Sequence, residues 1–143
     1  MTGDPYNLRR FLDAQSGVYD QAERELLAGR KESHWMWFIF PQIEGLGHSA
    51  TAQRYAIASL AEAKAYLDHP VLGRRLRGCT QLVTSLNDRT IEEVFGYPDY
   101  LKFHSSMTLF AHAGADDQIY MQALRKYFRA EFDCKTIARA TKA

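Results

Sequence analysis

Apolar residues recur along most of the chain at the three- and four-residue spacing that one face of an α-helix requires. The clearest stripe lies between residues 71 and 86 and comprises Val71, Leu72, Leu76, Cys79, Leu82, Val83 and Leu86. A second helical pattern covers residues 8–27, and Ser16-Gly17 interrupts it. Because glycine costs about 1 kcal/mol in a helix interior, we expect this stretch to kink or split there.

Residues that start and stop helices lie at the edges of these patterns. Ser59 with Glu62, and Thr90 with Glu93, fit the capping box, in which two side chains satisfy backbone N–H groups at the first turn. Pro70 suits the first turn of a helix, where its missing N–H is harmless. Further N-caps are predicted at Ser49, Asp99, Asp116 or Asp117, and Asp133, and helix ends are predicted at Gly29 and Gly96.

The segment from Trp35 to Phe40 is continuously apolar, so periodicity cannot separate a buried strand from a buried helical turn. Ser33 can cap a helix and Pro41 can end one, which favours a short helical or irregular segment. With no partner strand in sight, we predict a mainly α fold: a single compact multi-helix domain with an aromatic-rich buried segment and little or no strand. Residues 1–143 are assigned to this one domain, with 1–6 and 140–143 as loose termini.

Composition and charge exclude several classes of protein. A chain of 143 residues can bury a stable core without disulfides or a structural metal. Its formal net charge is +1, whereas dedicated nucleic-acid binders are usually more basic, so no specific nucleic-acid partner is expected. No apolar run approaches the ~20 residues of a membrane span, and no secretory signal is recognisable. Together with only two, widely separated cysteines, this predicts a cytoplasmic protein with no membrane partner.

Metal-ligating side chains are dispersed. The five histidines include no pair at the four-residue spacing that would place two ligands on one helix face. Cys79 lies on the apolar stripe and Cys134 is far from it, so no thiolate pair is available. We therefore expect no metal site and no cofactor, and we expect Cys79 to be an inert buried thiol.

The aromatic segment is also the first candidate for a ligand site. Trp35 and Trp37 could form a stacking wall, with His34 and Gln42 supplying donors and acceptors at its ends. Core packing is the competing interpretation, because large aromatic side chains dominate the energetics of protein interiors. The sequence leaves both interpretations open.

A second polar segment runs from Asp99 to Thr108. On a helix that begins near Asp99, this residue, Lys102 and the pair Ser105-Ser106 lie roughly along one side. If the helix begins at Ser105 instead, the two hydroxyl groups and nearby N–H groups would form an anion site. The competing interpretation is a capped helix that carries an ordinary Asp–Lys surface pair. We expect this segment to share one site, beside a solvent-accessible pocket, with the aromatic segment.

Two functional hypotheses follow. The leading one is binding or processing of a small polar metabolite, phosphorylated or not, through His34, Trp35, Trp37, Gln42, Lys102, Ser105 and Ser106. If the protein is an enzyme, His34 or His104 is the candidate acid–base group, because histidine titrates near neutral pH. The alternative is a non-catalytic interaction protein whose basic C-terminal face (Arg125, Lys126, Arg129, Lys135, Arg139 and Lys142) meets an acidic partner. A solvent-accessible cleft lined by Trp35 or Trp37 would favour the first hypothesis.

Several longer motifs resemble those of a known family. Residues 31–42 read Lys-Glu-Ser-His-Trp-Met-Trp-Phe-Ile-Phe-Pro-Gln, and further matches are Gly45-Leu46-Gly47, His69-Pro70-Val71-Leu72-Gly73 and Ser105-Ser106-Met107-Thr108-Leu109-Phe110. The chain resembles, from about Leu8 to Ile137, the bacterial family catalogued as domain of unknown function 1810, whose members are sometimes labelled calpastatin. The resemblance implies a compact helical fold and no established activity, cofactor or catalytic residue. The chain departs from the family's pattern at Arg129-Ala130-Glu131, where a glycine would be expected.

Overall fold

The regular structure of the chain is helical. A computed structural model describes residues 3–114 and 118–141. Within these ranges the closest approach to strand pairing is one isolated parallel bridge between Ile43 and Ile57, which confirms the predicted mainly α class. The helices are α1 (Arg9–Gln15), α2 (Tyr19–Ala28), α3 (Met36–Ile39), α4 (Ala50–Arg54), α5 (Leu60–Asp68), α6 (Leu72–Thr84), α7 (Ile91–Phe95), α8 (Asp99–Ala113), α9 (Ile119–Phe128) and α10 (Cys134–Ala140).

Several predicted helix boundaries are present with the hydrogen bonds that cause them. The Thr90 capping box before α7 is complete, with both its side-chain bonds formed. The carboxylate of Asp133 accepts the N–H of Thr136 at the start of α10, and the hydroxyl group of Ser49 caps α4. The backbone of Gly29 ends α2 in the left-handed conformation, with φ of 79°. The predicted cap at Asp116 or Asp117 lies outside the described residues.

Two predicted helix starts differ from the structure, and one open alternative is excluded. Pro70 precedes α6, which instead begins after His69, whose Nδ1 accepts the N–H groups of Val71 and Leu72 at 3.1 and 3.2 Å. Asp99 is the first residue of α8 and makes no capping bond. The helix therefore does not begin at Ser105, whose N–H group is already inside the helix and cannot bind an anion.

Helix α8 is the centre of the packing. It contacts α5 and α9 along its length, and it also meets α7 and α10. Aromatic side chains fill the space beside it: the Phe40 and Phe103 rings meet edge to face at 5.1 Å, and Phe95 stacks on Phe103 at 4.9 Å. Trp35 and Tyr66 are also fully buried. Of the helices in the described ranges, none is both long enough and apolar enough to cross a membrane.

The turn between α9 and α10 contains two consecutive non-glycine residues in the left-handed region. Arg129 has φ of 55° and Ala130 has φ of 61°. The Ala130 N–H donates to the Leu124 carbonyl at 2.9 Å, which closes the end of α9. An L-residue pays roughly 1–2 kcal/mol for this conformation, and glycine does not. This is the stretch where the resemblance described above leads us to expect a glycine.

Replacing Ala130 with glycine should therefore stabilise the protein. We expect Ala130→Gly to raise the free energy of unfolding by about 1 kcal/mol, after allowance for the greater entropy of glycine in the unfolded chain. Urea titration followed by circular dichroism measures the change. Ala61→Gly, on the exposed face of α5, is the matched control and should lose about 1 kcal/mol. Equal destabilisation by both substitutions would show that the turn stores no strain.

Candidate functional site

A cleft of about 490 Å³ opens between the loop after α3, the first half of α8 and the start of α10. Small-molecule sites usually have volumes of roughly 300–1,000 Å³, so this cleft can hold a metabolite. Its lining combines apolar, hydroxyl and charged side chains. The lining residues are Trp37, Gln42, Leu46, Gly47, His48, Ser49, Ala52, Pro98, Leu101, Lys102, Ser105, Asp133 and Lys135.

A row of alternating charges connects the cleft to the core. The Lys102 ammonium lies 4.5 Å from the centroid of the Trp37 ring and 3.3 Å from Asp99 Oδ1. The other oxygen of Asp99 is 2.8 Å from the Lys31 ammonium, which lies 5.2 Å from the Trp35 ring. One carboxylate is thus shared between two ammonium groups, each beside an indole. The three side chains together carry a net positive charge, and Lys102 is the one that lines the cleft.

A buried carboxylate holds the aromatic segment in place. Glu25 Oε1 accepts the N–H groups of Glu32 and Ser33 and the indole N–H of Trp35, at 2.8 to 2.9 Å. Its Oε2 accepts the Ser33 hydroxyl at 2.6 Å and an amide N–H of Gln21 at 3.1 Å. Burial by itself would raise the pKa of this carboxyl, but the hydrogen bonds from Ser33, Glu32 and Trp35 outweigh it and lower the pKa to about 2.

Sequence reasoning missed Glu25. Its spacing from Ala22 and Leu26 places it on the buried side of α2, and that position was the available signal. A glutamate on an apolar face needs several donors to remain ionised there. Most of these donors belong to the turn before α3. Glu25 therefore fixes the position of the aromatic segment, and the donors of that segment stabilise the charge of Glu25.

The loop between α3 and α4 approaches its neighbours very closely. Gly45 has φ of 97°, and a side chain there would collide with the guanidinium group of Arg139. A Cβ on Gly47 would lie 2.6 Å from the Cβ of Ala52. The two glycines therefore allow the loop to close against α4 and α10, and this closure forms one wall of the cleft.

The opposite wall joins α8 to α10. Asp133 Oδ2 accepts the Ser105 hydroxyl at 3.1 Å as well as the N–H and hydroxyl groups of Thr136. The Asp133 N–H donates to the Thr108 hydroxyl at 2.9 Å. These bonds fix the start of α10 on the middle of α8, which places Asp133 and Lys135 at the cleft.

The structure brings together four of the residues predicted from the sequence. Trp37, Gln42, Lys102 and Ser105 all line the cleft, so the aromatic and the polar segment meet there. Ligand binding by these four residues stays a prediction.

The other three predicted residues are placed elsewhere. Trp35 is 0% exposed, and its N–H is bonded to Glu25, so it belongs to the core. Ser106 is also 0% exposed, and its hydroxyl has no hydrogen-bond partner within the described ranges. His34 is exposed and is not part of the cleft lining. The aromatic wall therefore consists of one indole, that of Trp37.

Neither candidate acid–base histidine reaches the cleft. His104 stacks on Phe128 with ring centroids 4.1 Å apart, and its Nε2 donates to the Glu131 carbonyl at 2.7 Å. That contact secures the turn between α9 and α10. The histidine that lines the cleft is His48, which was not among the predicted site residues.

The remaining groups considered for catalysis or metal binding are the Cys79 thiol and the possible metal ligands. Burial raises the pKa of the Cys79 thiol to about 12, so it is not a nucleophile near neutral pH. Among the described residues, no group of three or more histidine, cysteine, aspartate or glutamate side chains could hold a metal ion.

Some basic residues of the C-terminal region also make contacts within the protein. The Lys126 ammonium donates to two carbonyl groups at and beyond the end of α6, at 2.6 and 2.5 Å. Arg139 covers the loop after α3, and Lys135 lines the cleft. Lys142 lies outside the described residues.

Comparison with known proteins shows which family has this helical fold. A family profile described as "Protein of unknown function (DUF1810)" matches residues 5–140, and the chain belongs to that family. The chain is also similar to the conserved hypothetical protein Rv1873 from Mycobacterium tuberculosis, whose crystal structure was determined at 1.38 Å. The two chains are 51% identical with a TM-score of 0.96, covering 98% of this chain and 100% of the other. A search of curated proteins finds no match.

These comparisons confirm the family and the helical fold that the sequence motifs predicted. They name no ligand, reaction or partner, because both descriptions are of proteins of unknown function.

Proposed function

We propose that this protein binds a small anionic metabolite in the cleft between the loop after α3, α8 and α10. The observation that carries the proposal is the position of Lys102, whose ammonium lies 4.5 Å from the Trp37 ring at the cleft surface. A cation held against an indole is fixed in direction, so it can meet an anion without first losing side-chain entropy.

The charges of the cleft support an anionic ligand. Asp99 neutralises only part of the charge of Lys102, because it also pairs with the more deeply buried Lys31. Lys135 adds a second ammonium that has no ion-pair partner within the described ranges. Asp133 opposes them, but hydrogen bonds from Ser105 and Thr136 already stabilise its charge. A phosphate or carboxylate group would satisfy the two ammonium groups.

The apolar lining supports a ligand that also has a carbon skeleton. Leu46 and Ala52 lie on the loop side, and Pro98 and Leu101 lie on the α8 side. The Trp37 ring contributes a flat surface between polar groups. A free inorganic anion would leave these apolar surfaces in contact with water, whereas an organic anion covers them.

Lys102→Met tests this proposal, because methionine retains most of the apolar length of the side chain and removes the charge. We expect affinity for propyl phosphate, a small organic anion, to fall by about 10- to 100-fold, the range of one lost charge-assisted hydrogen bond. Calorimetric titration measures it, and thermal melting confirms that the variant folds.

Lys64→Met is the matched control, because Lys64 forms a comparable pair with Asp68 on the exposed surface of α5, away from the cleft. Its affinity should equal that of the wild type. Equal affinities in all three proteins, or no binding to the wild type, would contradict the proposal.

A further inference from the structure

The groups of the cleft that remain available for hydrogen bonding indicate what the ligand carries besides its negative charge. Asp133 is the clearest case. Its Oδ2 accepts all three of the protein donors that reach the carboxylate, from Ser105 and Thr136. Its Oδ1 has no hydrogen-bond partner among the residues that the structure describes. One side chain therefore caps α10 with one oxygen and offers the other as an acceptor beside the cleft.

The position of this acceptor is fixed by the fold. The Asp133 backbone is held by the Thr108 hydroxyl at 2.9 Å, and its side chain is held by α8 and α10 together. An acceptor that is already ordered binds a ligand donor at low entropic cost. A carboxylate oxygen also makes a stronger hydrogen bond than a neutral acceptor. Asp133 is thus suited to select a ligand by its donor group.

Two other polar side chains in the cleft have unused hydrogen-bonding capacity. The Ser49 hydroxyl accepts the N–H of Ala52, and its proton makes no hydrogen bond to another described residue. The side-chain amide of Gln42 makes none with the described part of the chain, although Gln42 is partly buried. These groups can both donate and accept, which matches hydroxyl groups on a ligand.

A hydroxyl donor fits the cleft better than an ammonium donor. Lys102 and Lys135 line the same space, and a ligand ammonium near Asp133 would be repelled by both of them. A hydroxyl group is neutral, so it can donate to Asp133 without that repulsion. Two ammonium groups in one cleft also match a phosphate, which carries about −1.5 to −2 charge at pH 7, better than a single carboxylate.

We infer that the ligand is a hydroxylated phosphate ester of the polyol-phosphate or sugar-phosphate class, with its phosphate near Lys102 and Lys135 and a hydroxyl group donating to Asp133 Oδ1. This inference rests on the proposed function and adds to it the chemical class of the ligand and the residue that selects it. Asp133 is a specificity-determining residue in this arrangement, and no chemical step is assigned to it.

Two matched probes and one isosteric substitution test the inference. Glycerol phosphate and propyl phosphate have the same carbon chain and the same anion, and only the first carries free hydroxyl groups. Asp133→Asn retains the helix cap, because asparagine is an equally good N-cap, and it replaces the free acceptor with an N–H donor. Calorimetric titration of both proteins with both probes gives a thermodynamic cycle that isolates the hydroxyl–Asp133 interaction.

We expect the wild type to bind glycerol phosphate at least tenfold more tightly than propyl phosphate. Asp133→Asn should abolish that preference while binding propyl phosphate at least as tightly as the wild type, because a negative charge has been removed from the cleft. Asp13→Asn, which removes an exposed charge on α1, should behave as the wild type. If Asp133→Asn folds poorly, Asp133→Ser retains a capping hydroxyl without the second oxygen and should give the same loss of preference.

Four outcomes would overturn the inference. Equal affinity of the wild type for both probes would show that no ligand hydroxyl group binds Asp133. The proposed anion site would still stand if Lys102→Met weakened binding. Retention of the preference in both Asp133 variants would assign it to other residues. Tighter binding of phosphoethanolamine than of glycerol phosphate by the wild type would assign an ammonium donor to the ligand. Absence of binding to every probe would overturn the proposed function and this inference together.

Discussion

Glu25→Gln should lower the free energy of unfolding by about 2–4 kcal/mol, because the amide presents an N–H group to donors that already surround the carboxylate. The wild-type carboxylate accepts five hydrogen bonds, from the side chain of Gln21, the N–H of Glu32, the N–H and hydroxyl of Ser33, and the Trp35 indole. An amide can accept with one of its two atoms only. Chemical denaturation near neutral pH measures the loss.

The same substitution should change how stability depends on pH. The pKa of Glu25 falls from its ordinary 4.5 to about 2 in the folded protein. A lowered pKa means that the ionised group stabilises the folded state fully above pH 4.5, and that this contribution disappears as the pH falls towards 2. The difference between wild type and Glu25→Gln should therefore shrink between those pH values.

The neighbouring Glu32 provides the control for Glu25. Its side chain is exposed, and only its backbone N–H contacts the buried carboxylate. Glu32→Gln should change stability by less than about 0.5 kcal/mol at any pH in this range. If Glu25→Gln were as mild as Glu32→Gln, the five hydrogen bonds would not stabilise the turn before α3, and the position of the aromatic segment would need another cause.

The second large effect is expected at Arg10, which ties the N-terminal turn to α4 and α5. Its guanidinium donates to the Glu62 carboxylate at 2.7 Å and to four backbone carbonyl groups at 2.7 to 2.8 Å. The carbonyl groups belong to Tyr6, Asn7, Arg54 and Ala56. Arg10→Met leaves Glu62, which is 3% exposed, without its counter-charge. We expect a loss of about 3–5 kcal/mol in the free energy of unfolding.

Two further variants separate the contribution of the charge from that of the hydrogen bonds. Arg10→Lys should recover only part of the stability, because an ammonium cannot reproduce the donor geometry of a guanidinium. Arg9→Met is the matched control: Arg9 forms an exposed pair with Asp13 at 3.4 Å, worth less than about 1 kcal/mol. Urea titration of the three variants should therefore rank them Arg10→Met, Arg10→Lys, Arg9→Met in order of decreasing loss. A loss at Arg10→Met no larger than at Arg9→Met would contradict this account.

The sequence by itself determined the helical class and many helix boundaries, because the interactions that fix them span only a few residues. The capping box joins Thr90 to Glu93, three positions away, and Gly29 ends α2 through its own backbone. Where two local signals competed, the sequence was insufficient. Helix α6 begins at Leu72, two residues after Pro70, and the His69 ring accepts the N–H groups of Val71 and Leu72 there; a histidine acceptor is not a common capping signal.

Four residues of the candidate site, Trp37, Gln42, Lys102 and Ser105, could also be predicted, since the aromatic and polar segments were recognised as unusual. The sequence could not show which residues of these two segments lie in the core and which line the cleft. Trp35 and Trp37 lie two residues apart in a continuous apolar run, and Ser105 and Ser106 are adjacent. One position changes the direction of a helical side chain by about 100°, so only the surrounding helices decide which member is buried.

The remaining determinants belong to the tertiary structure, because their partners are distant in the chain. Ser105 meets Asp133 across 28 positions and Arg10 meets Glu62 across 52. Nothing in the local pattern around an aspartate or an arginine indicates such a partner, since most charged residues lie in water. The packing of α10 on α8 brings Asp133 and Lys135 to the cleft beside Trp37, so the charges that these two residues add to the proposed site depend on that packing.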